Sequence, residues 1–269
     1  MKKFAVIGSP IKHSLSPQIH TLFGKRLGIQ ISYEAIEVKR AEFKAKVDKL
    51  LNDGYLGLNV TLPLKEMAFQ YSDINSEEAT FTESVNTLNI KNSSVFGETT
   101  DGQGLLLDLK DKGFRLEGSR VVLLGSGGSA KSIIPSLLSN NLKSLSVANR
   151  TQNKAEVLVN KYKDTSPEIG LIEVDKPVDS EVDIVINATS AGTLKQSLTM
   201  PPNIFGPTTR VYDLSYSKDI TPFNLLAQKA GIKDTYDGLG MLVNQAALSF
   251  EIWNEIRPDI EGIEGKLRS

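Results

Sequence analysis

The sequence predicts an α/β protein with largely parallel sheets, divided into two domains near residue 102. Three observations carry this. Short apolar runs of strand character alternate with helix-period stretches along almost the whole chain, the pattern of sheets joined by crossover helices. A glycine-rich turn, Gly125-Ser126-Gly127-Gly128-Ser129-Ala130, follows one such run and opens a helix. The strand–helix pattern starts afresh after Gly102 without a linker or repeat, and 269 residues is close to two domains of ordinary size.

Residues 4–7 form a short buried strand. Ser16-Pro17 then reads as N-cap and first helical residue, with Ile19, Leu22, Phe23 and Leu27 on one face and Gly28 at the end. A strand over 31–38 precedes a helix striped by Phe43, Val47, Leu50 and Leu51, which stops at Gly54. In the strand 55–61, alternation puts Leu56, Leu58 and Val60 on one face and Gly57, Asn59 and Thr61 on the other. Lys65 falls in the first turn of the helix after Pro63. Strands at 85–91 and 95–99 flank a turn at Asn92-Ser93-Ser94.

Beyond the break come a helix at 103–112, a strand at 120–124 and the glycine turn with its helix. A strand at 145–148, a helix at 152–163 and strands at 182–186 and 210–214 follow. Thr221-Pro222 caps a helix that closes at Gly231, and a last long helix over 239–256 carries Leu242, Ala246, Phe250 and Trp253 on one face.

Composition narrows the chemistry. Lys plus Arg total 31 against 32 Asp plus Glu, a net charge of −1. That balance gives no footprint for nucleic acid or anionic lipid, so neither partner is expected. Cysteine is absent, which excludes disulfides, thiol nucleophiles and cysteine-ligated zinc. The only histidines are His13 and His20, so other catalytic groups must be lysine, carboxylates, hydroxyls or a cofactor. The apolar run after Met1-Lys2-Lys3 stops at Gly8, short of a signal-peptide core of about 7–15 residues. No run approaches the roughly 18 residues of a membrane span. A cytoplasmic location is the expectation.

The glycine turn matches the dinucleotide fingerprint in its required context. Gly125 allows the tight turn, Gly127 the close approach of backbone to a pyrophosphate, and Ala130 close packing of helix on strand. The helix start offers unpaired N–H groups to phosphate. About twenty residues on, where an NAD site carries an acidic residue, the chain has Asn149-Arg150-Thr151 and then Lys154. Cations at a helix start favour a bound anion, so NADP with its 2′-phosphate is preferred over NAD. The loop Asn187-Ala188-Thr189-Ser190-Ala191-Gly192 ends a later strand, where it should border the cofactor.

In the first hundred residues, polar groups gather at element ends: Ser14, Ser16, Asn59, Thr61, Lys65, Asn86 and Asp101. Ser16 suits an N-cap, and Asp101 in Thr99-Thr100-Asp101-Gly102 suits a helix cap. Ser14 has no such local role. A lysine at a helix start is electrostatically misplaced, so Lys65 should face a carboxylate or a ligand. Together the hydroxyls, amides, lysine and carboxylate suit a polyhydroxylated ligand.

These segments resemble the shikimate dehydrogenase family over nearly the whole chain. The resemblance rests on residues 7–17 (IGSPIKHSLSP), 59–65 (NVTLPLK), Val85-Asn86-Thr87 and residues 97–104 around Thr100-Asp101, together with the glycine turn and Asn149-Arg150-Thr151. Asn187-Ala188-Thr189-Ser190, Asp213-Leu214-Ser215-Tyr216 and residues 237–245 (DGLGMLVNQ) complete it. Thr99, Leu64, Thr193 and Lys218 depart from the family's usual residues without removing a polar group the chemistry needs.

The resemblance implies a two-domain enzyme that reduces 3-dehydroshikimate to shikimate with NADPH, in aromatic amino-acid biosynthesis. It implies a substrate-binding domain over 1–101, completed by 238–269 through a returning C-terminal helix. The NADP-binding Rossmann-like domain spans 102–237. Ser14, Ser16, Asn59, Thr61, Lys65, Asn86, Asp101, Tyr216 and Gln245 would meet the substrate. Residues 125–130, Asn149, Arg150, Thr151, Lys154, Thr189, Leu214, Gly238 and Met241 would meet the cofactor.

Lys65 and Asp101 form the expected catalytic pair. With the hydride supplied by the cofactor, the protein must provide orientation and a proton for the developing alkoxide. Burial opposes the charge on Lys65 and Asp101 supports it, so proton donation and pure charge stabilisation both stay open. A relative acting on quinate, with relaxed use of NAD, is the alternative enzyme; Ser14 and Ser16 favour shikimate, whose ring lacks the crowding tertiary hydroxyl. A non-catalytic NADP-binding regulatory module is the alternative from another class. Monomer and homodimer are both compatible with the sequence.

Overall fold

Both sheets of the protein lie between helical layers, and this is why their central strands read as near-continuous apolar runs. The computed structural model describes residues 1–178, 180–189 and 198–268. The chain divides into two units, Met1–Gly104 with Leu242–Ser269, and Leu105–Met241.

The first unit begins with β1 (Lys2–Gly8), α1 (Ser16–Leu27), β2 (Ile31–Glu37), α2 (Phe43–Asn52) and β3 (Tyr55–Val60). Next come α3 (Lys65–Tyr71), β4 (Ile74–Asn75), α4 (Glu77–Thr82), β5 (Thr87–Lys91) and β6 (Ser94–Glu98). The strands order as β2-β1-β3-β5-β6-β4. The sheets are largely parallel, as expected, and the exception lies here: β5 runs antiparallel to both β3 and β6. The cause is local. Asn92 and Ser93 both take positive φ and form a two-residue turn, a connection that only antiparallel strands can use. Ser94, expected in the turn, pairs with Lys91 as the first residue of β6.

The start of α1 also differs from expectation. The helix begins at Ser16 rather than after it, and the Ser16 N–H donates to Ser14 Oγ at 3.3 Å. Leu15 is the N-cap and its side chain makes no capping bond, Ser14 holds the turn before it, and the Ser16 side chain is buried in the unit.

The chain continues with α5 (Asp101–Asp111), β7 (Arg120–Leu124), α6 (Gly128–Leu138), β8 (Ser144–Ala148), α7 (Gln152–Tyr162) and β9 (Ile169–Ile172). It then runs through β10 (Ile184–Asn187), β11 (Arg210–Asp213), α8 (Pro222–Lys229) and β12 (Thr235–Asp237). Last come α9 (Leu239–Asn254) and α10 (Ile263–Arg268). The second sheet is wholly parallel, in the order β12-β11-β10-β7-β8-β9. Counted within the unit this is the doubly wound order, with its switch point between β7 and β10. Val121 and Leu123 bury against α5, α6 and α7, while Val122 and Leu124 bury against α8 through Phe223 and Ala227.

In the first unit Ala5, Ile7, Leu58 and Val60 face the α2 and α3 side, among Phe43, Val47, Leu50, Leu64 and Ala68. Phe4, Val6 and Tyr33 face the other side, against Trp253 of α9. A side chain on Gly57 would overlap the Trp253 indole. The face of β3 carrying Gly57 and Asn59, polar by alternation, is therefore the face that α9 covers. Leu56, expected among the apolar face, is 41% exposed at the start of that strand. The strands β4, β9 and β12 were not anticipated from the sequence; β4 and β12, of two and three residues, are too short for any periodicity to announce.

Candidate active site

In the first unit, Lys65 opens α3 and Asp101 opens α5. Lys65 Nζ donates to Asp101 Oδ2 at 2.5 Å, and both side chains are 9% exposed. The charge that is misplaced at a helix start is thus met by a buried carboxylate. The other carboxylate oxygen, Oδ1, accepts from Asn86 Nδ2 at 3.0 Å. Asp101 spends its side chain on these partners, which replaces the helix-cap reading with a site reading.

Asn86 is the hub of what surrounds the pair. Its amide also donates to Thr100 Oγ1 at 2.8 Å and to Gln245 Oε1 at 3.3 Å. Its Oδ1 accepts the Thr100 N–H and the Thr87 hydroxyl, both at 2.9 Å. Gln245 is on α9, held there by its Nε2 donating to Leu242 O at 2.8 Å. Residues distant in the chain, 65, 86, 101 and 245, therefore converge on one buried polar cluster.

Asn59 lies in the same cluster with its amide engaged internally. Its Oδ1 accepts the Tyr33 hydroxyl at 2.6 Å, and its Nδ2 faces Asn86 O, Thr87 Oγ1 and Ser249 Oγ at 3.0–3.2 Å. Burial pushes the Tyr33 phenol well above its ordinary range, and a hydrogen bond with Ser16 acts against it. Tyr33 and Asn59 thus lead to Asn86. Thr61 follows β3, half-buried, its N–H donating to Ile7 O at 2.9 Å. Ser14 is half-buried before α1.

Tyr33, Thr87, Thr100 and Ser249 complete the network; Thr87 and Thr100 lie in the motifs quoted above without a role given to them there, and Tyr33 and Ser249 lie outside those motifs. Thr100 adjoins Asp101, and Ser249 lies one helical turn beyond Gln245, the two available signals. His20, by contrast, is fully buried, stacked on Tyr33 with ring centroids 4.1 Å apart. Burial pushes its imidazole down to about 3. It is a neutral core residue, while His13 is exposed.

The second unit carries the glycine turn beyond β7. Gly125 has φ of +109°, and a side chain there would press on the Ala188 carbonyl. Gly127 precedes the first residue of α6, and a Cβ on it would meet nothing within 4 Å. Ala130 is wholly buried in the core, as close helix–strand packing requires. Ser126 is buried, and Gly128 and Ser129 form the first helical turn. Asn149 Nδ2 donates to Thr151 O at 2.9 Å, shaping the turn into α7. Arg150 and Lys154 are exposed there, and the first turn of α7 has no acidic residue. Open backbone at a helix start with two nearby cations fits a dinucleotide bearing an extra phosphate.

Thr189 follows β10, its N–H and hydroxyl both donating to Asn187 Oδ1. Gly238 N–H donates to Ser215 O at 3.0 Å, and a side chain on Gly238 would overlap Leu214 O. Leu214 and Met241 are half-buried on the same core cluster, and Tyr216 follows β11, also half-buried. Ser190, Ala191 and Gly192 of the expected cofactor loop lie outside the described residues, as does Thr193. Among the described residues no cluster of His, Cys, Asp or Glu could hold a metal ion, and no helix is long and apolar enough to cross a membrane.

A doubly wound parallel sheet with a glycine turn at its switch point, in a chain whose other unit bears a buried lysine–carboxylate pair, defines an α/β oxidoreductase of the Rossmann class. Comparison with known proteins narrows this. Residues 6–88 match the family described as shikimate dehydrogenase substrate binding domain, 108–223 match shikimate / quinate 5-dehydrogenase, and 238–268 match the shikimate 5′-dehydrogenase C-terminal domain. The shikimate dehydrogenase (NADP(+)) of Psychromonas ingrahamii is 40% identical over 269 residues, covering 100% of this chain and 98% of that protein. An Ael1 enzyme from Pseudomonas putida superposes with a TM-score of 0.91 at 35% identity, over 99% of this chain and 98% of that one. The Thermus thermophilus shikimate 5-dehydrogenase solved with NADP(H) and shikimate gives 0.88 at 32% identity, over 100% and 99%. The chain belongs to the shikimate dehydrogenase family.

Proposed function

We propose that this protein reduces the ring ketone of 3-dehydroshikimate to shikimate, reversibly, with NADPH. The observation that carries the reading is the buried Lys65–Asp101 pair within a cluster of amides and hydroxyls, in a chain of this family. NADPH supplies the hydride. Lys65 stands at the ketone oxygen, where its ammonium stabilises the charge that develops and is the source of the proton. Asp101 orients Lys65 and, with Asn86 and Gln245, meets ring hydroxyls. Ser14, Ser16 and Thr61 hold the carboxylate end. Asn59, with its amide engaged by Tyr33, Thr87 and Ser249, sets the position of Asn86 and lies behind the substrate.

In this reading the first unit is the substrate-binding domain and the second the NADP-binding domain. The turn 125–130 takes the pyrophosphate, and Asn149, Arg150, Thr151 and Lys154 take the 2′-phosphate end. Thr189, Leu214, Gly238 and Met241 border the nicotinamide end, with Tyr216 beside the substrate. The cations at the start of α7 support NADP over NAD. The enzyme works in the cytoplasm on a small-molecule substrate. The test is to follow NADPH absorbance with 3-dehydroshikimate, then to compare quinate and NAD in the reverse direction. No oxidation of NADPH overturns the reading, and a preference for quinate with NAD selects the alternative enzyme.

A further inference from the structure

Two motif residues, Asn187 and Asp213, have no part in the chemistry above, and both are 2% exposed. They are the last residues of β10 and β11 and are paired across the parallel register. Asn187 Nδ2 donates to Asp213 Oδ1 at 2.9 Å. Asn187 Oδ1 accepts the Thr189 N–H at 3.1 Å and the Thr189 hydroxyl at 2.7 Å. Asp213 Oδ1 also accepts the Ser215 N–H at 3.1 Å. Its carboxyl is bonded as well by the Thr221 hydroxyl, whose oxygen caps α8.

An amide can satisfy this arrangement in one orientation only, with NH2 toward the carboxylate and oxygen toward Thr189. Asp213 therefore chooses the rotamer of Asn187, and Asn187 in turn ties down Thr189. The peptide between Ala188 and Thr189 lies against Gly125, where an added Cβ would come within 3.0–3.2 Å of its atoms. Leu214 N–H donates to Asn187 O at 2.9 Å, and Ser215 O accepts from Gly238. One buried pair thus braces the glycine turn, the Thr189 segment and the Leu214–Ser215 segment, all at the carboxyl edge where doubly wound sheets bind ligands.

We propose that Asn187 and Asp213 are positioning residues for the dinucleotide, acting through the backbone of residues 188–189 and 214–215. This rests on the NADP-binding role given to the second unit. Burial pushes the Asp213 carboxyl above its ordinary range while bonds from Thr221, Ser215 and Asn187 oppose that shift, in keeping with a group whose partners must stay in place.

The test compares Asn187→Asp, Asp213→Asn and the swapped double variant in the full chain. Asn187→Asp sets two carboxyl groups face to face. Asp213→Asn removes the charge and keeps an acceptor toward Asn187 and the Ser215 N–H only by turning its own NH2 to the Thr221 side. The double variant restores a donor–acceptor pair with its direction reversed. NADPH binding is read by nucleotide fluorescence without substrate, alongside KM for shikimate and circular dichroism for folding. Each single variant should weaken NADPH binding by at least about 10-fold, as expected for losing a buried hydrogen bond to a charged group. KM for shikimate should stay within about twofold, and the double variant should bind NADPH better than Asn187→Asp but below wild type, because its reversed pair leaves the Ser215 N–H facing an NH2 group. Single variants that fail to fold while the swap folds and binds also support the pair.

Folded single variants with wild-type NADPH affinity overturn the proposal. So does an equal rise in the shikimate KM, a swap worse than both singles, or failure of all three to fold, which would make the pair a folding determinant. A wild-type protein that binds NADPH without reducing 3-dehydroshikimate overturns the enzymatic reading and leaves this test standing. A wild-type protein that binds no NADPH overturns both.

Discussion

Lys65 and Asp101, 36 residues apart, meet through a 2.5 Å contact between Nζ and Oδ2 at the first residues of two helices. A buried pair of this kind costs desolvation and is weak evidence for a stabilising role. Its orientation toward a cluster of hydroxyls and amides fits a chemical role better.

Replacing Lys65 should therefore cost rate far more than binding. Lys65→Ala should lower turnover by at least about 100-fold, the low end for loss of a general acid, with a modest change in KM for shikimate. Steady-state kinetics at saturating NADPH measures both. A variant with near-normal turnover would remove Lys65 from the reaction.

The buried His20 predicts an acid-side loss of stability. Its folded value of about 3 lies below the ordinary 6.5, so the unfolded chain binds the extra proton between these limits. The stabilisation is complete above pH 6.5 and is lost as pH falls toward 3. The slope attributable to this group approaches about 1.4 kcal/mol per pH unit. Urea unfolding at pH 7, 6 and 5 should show a shallower decline for His20→Leu than for the wild type. Parallel declines would contradict the assignment.

Arg210 secures the end of α5 in the second unit. Its guanidinium donates to Gly113 O at 2.6 Å, Lys112 O at 2.8 Å and the Tyr236 hydroxyl at 3.0 Å. It also lies 4.0 Å from the centroid of Phe114. Arg210→Ala should cost about 2–4 kcal/mol in denaturant unfolding. Arg210→Lys should recover less than half, because an ammonium lacks the planar fork. Equal stability of wild type and alanine variant would show the fork to be dispensable.

Arg150 tests cofactor choice. It is exposed beside the start of α7 with no acidic neighbour in the first turn, and in the proposed reading it bonds the 2′-phosphate. Arg150→Ala should raise KM for NADPH by about 10–100-fold, the range of a hydrogen bond between charged groups, and leave KM for NADH nearly unchanged. An equal effect on both cofactors would assign the discrimination elsewhere.

The doubly wound half of the molecule was legible because its signals are local. The apolar run 120–124, the glycine turn after it and the Thr221-Pro222 cap each act within a few residues, and β7, α6 and α8 form there. Lys65 was legible for the same reason: a cation in the first turn of a helix asks for an anion nearby. The mixed order of the first sheet was not, although its cause, a two-residue turn at Asn92-Ser93, lies in the sequence. Nor was the passing of the N-cap from Ser16 to Leu15, which one residue of helix register decides.

The sequence by itself determined the α/β class, the glycine turn and most of the polar residue types at the site. Tertiary structure alone decided which of them work together. Asn59 was legible as a polar group at a strand end, but that Tyr33, Thr87 and Ser249 bond its amide was not. Trp253 stacks on Phe4 with centroids 4.6 Å apart, and Gly57 leaves room for it, although the residues lie at opposite ends of the chain. The reason is physical: periodicity reports which face of an element is apolar, whereas the partner of a buried donor, acceptor or ring is chosen by packing between segments with no local signal in common.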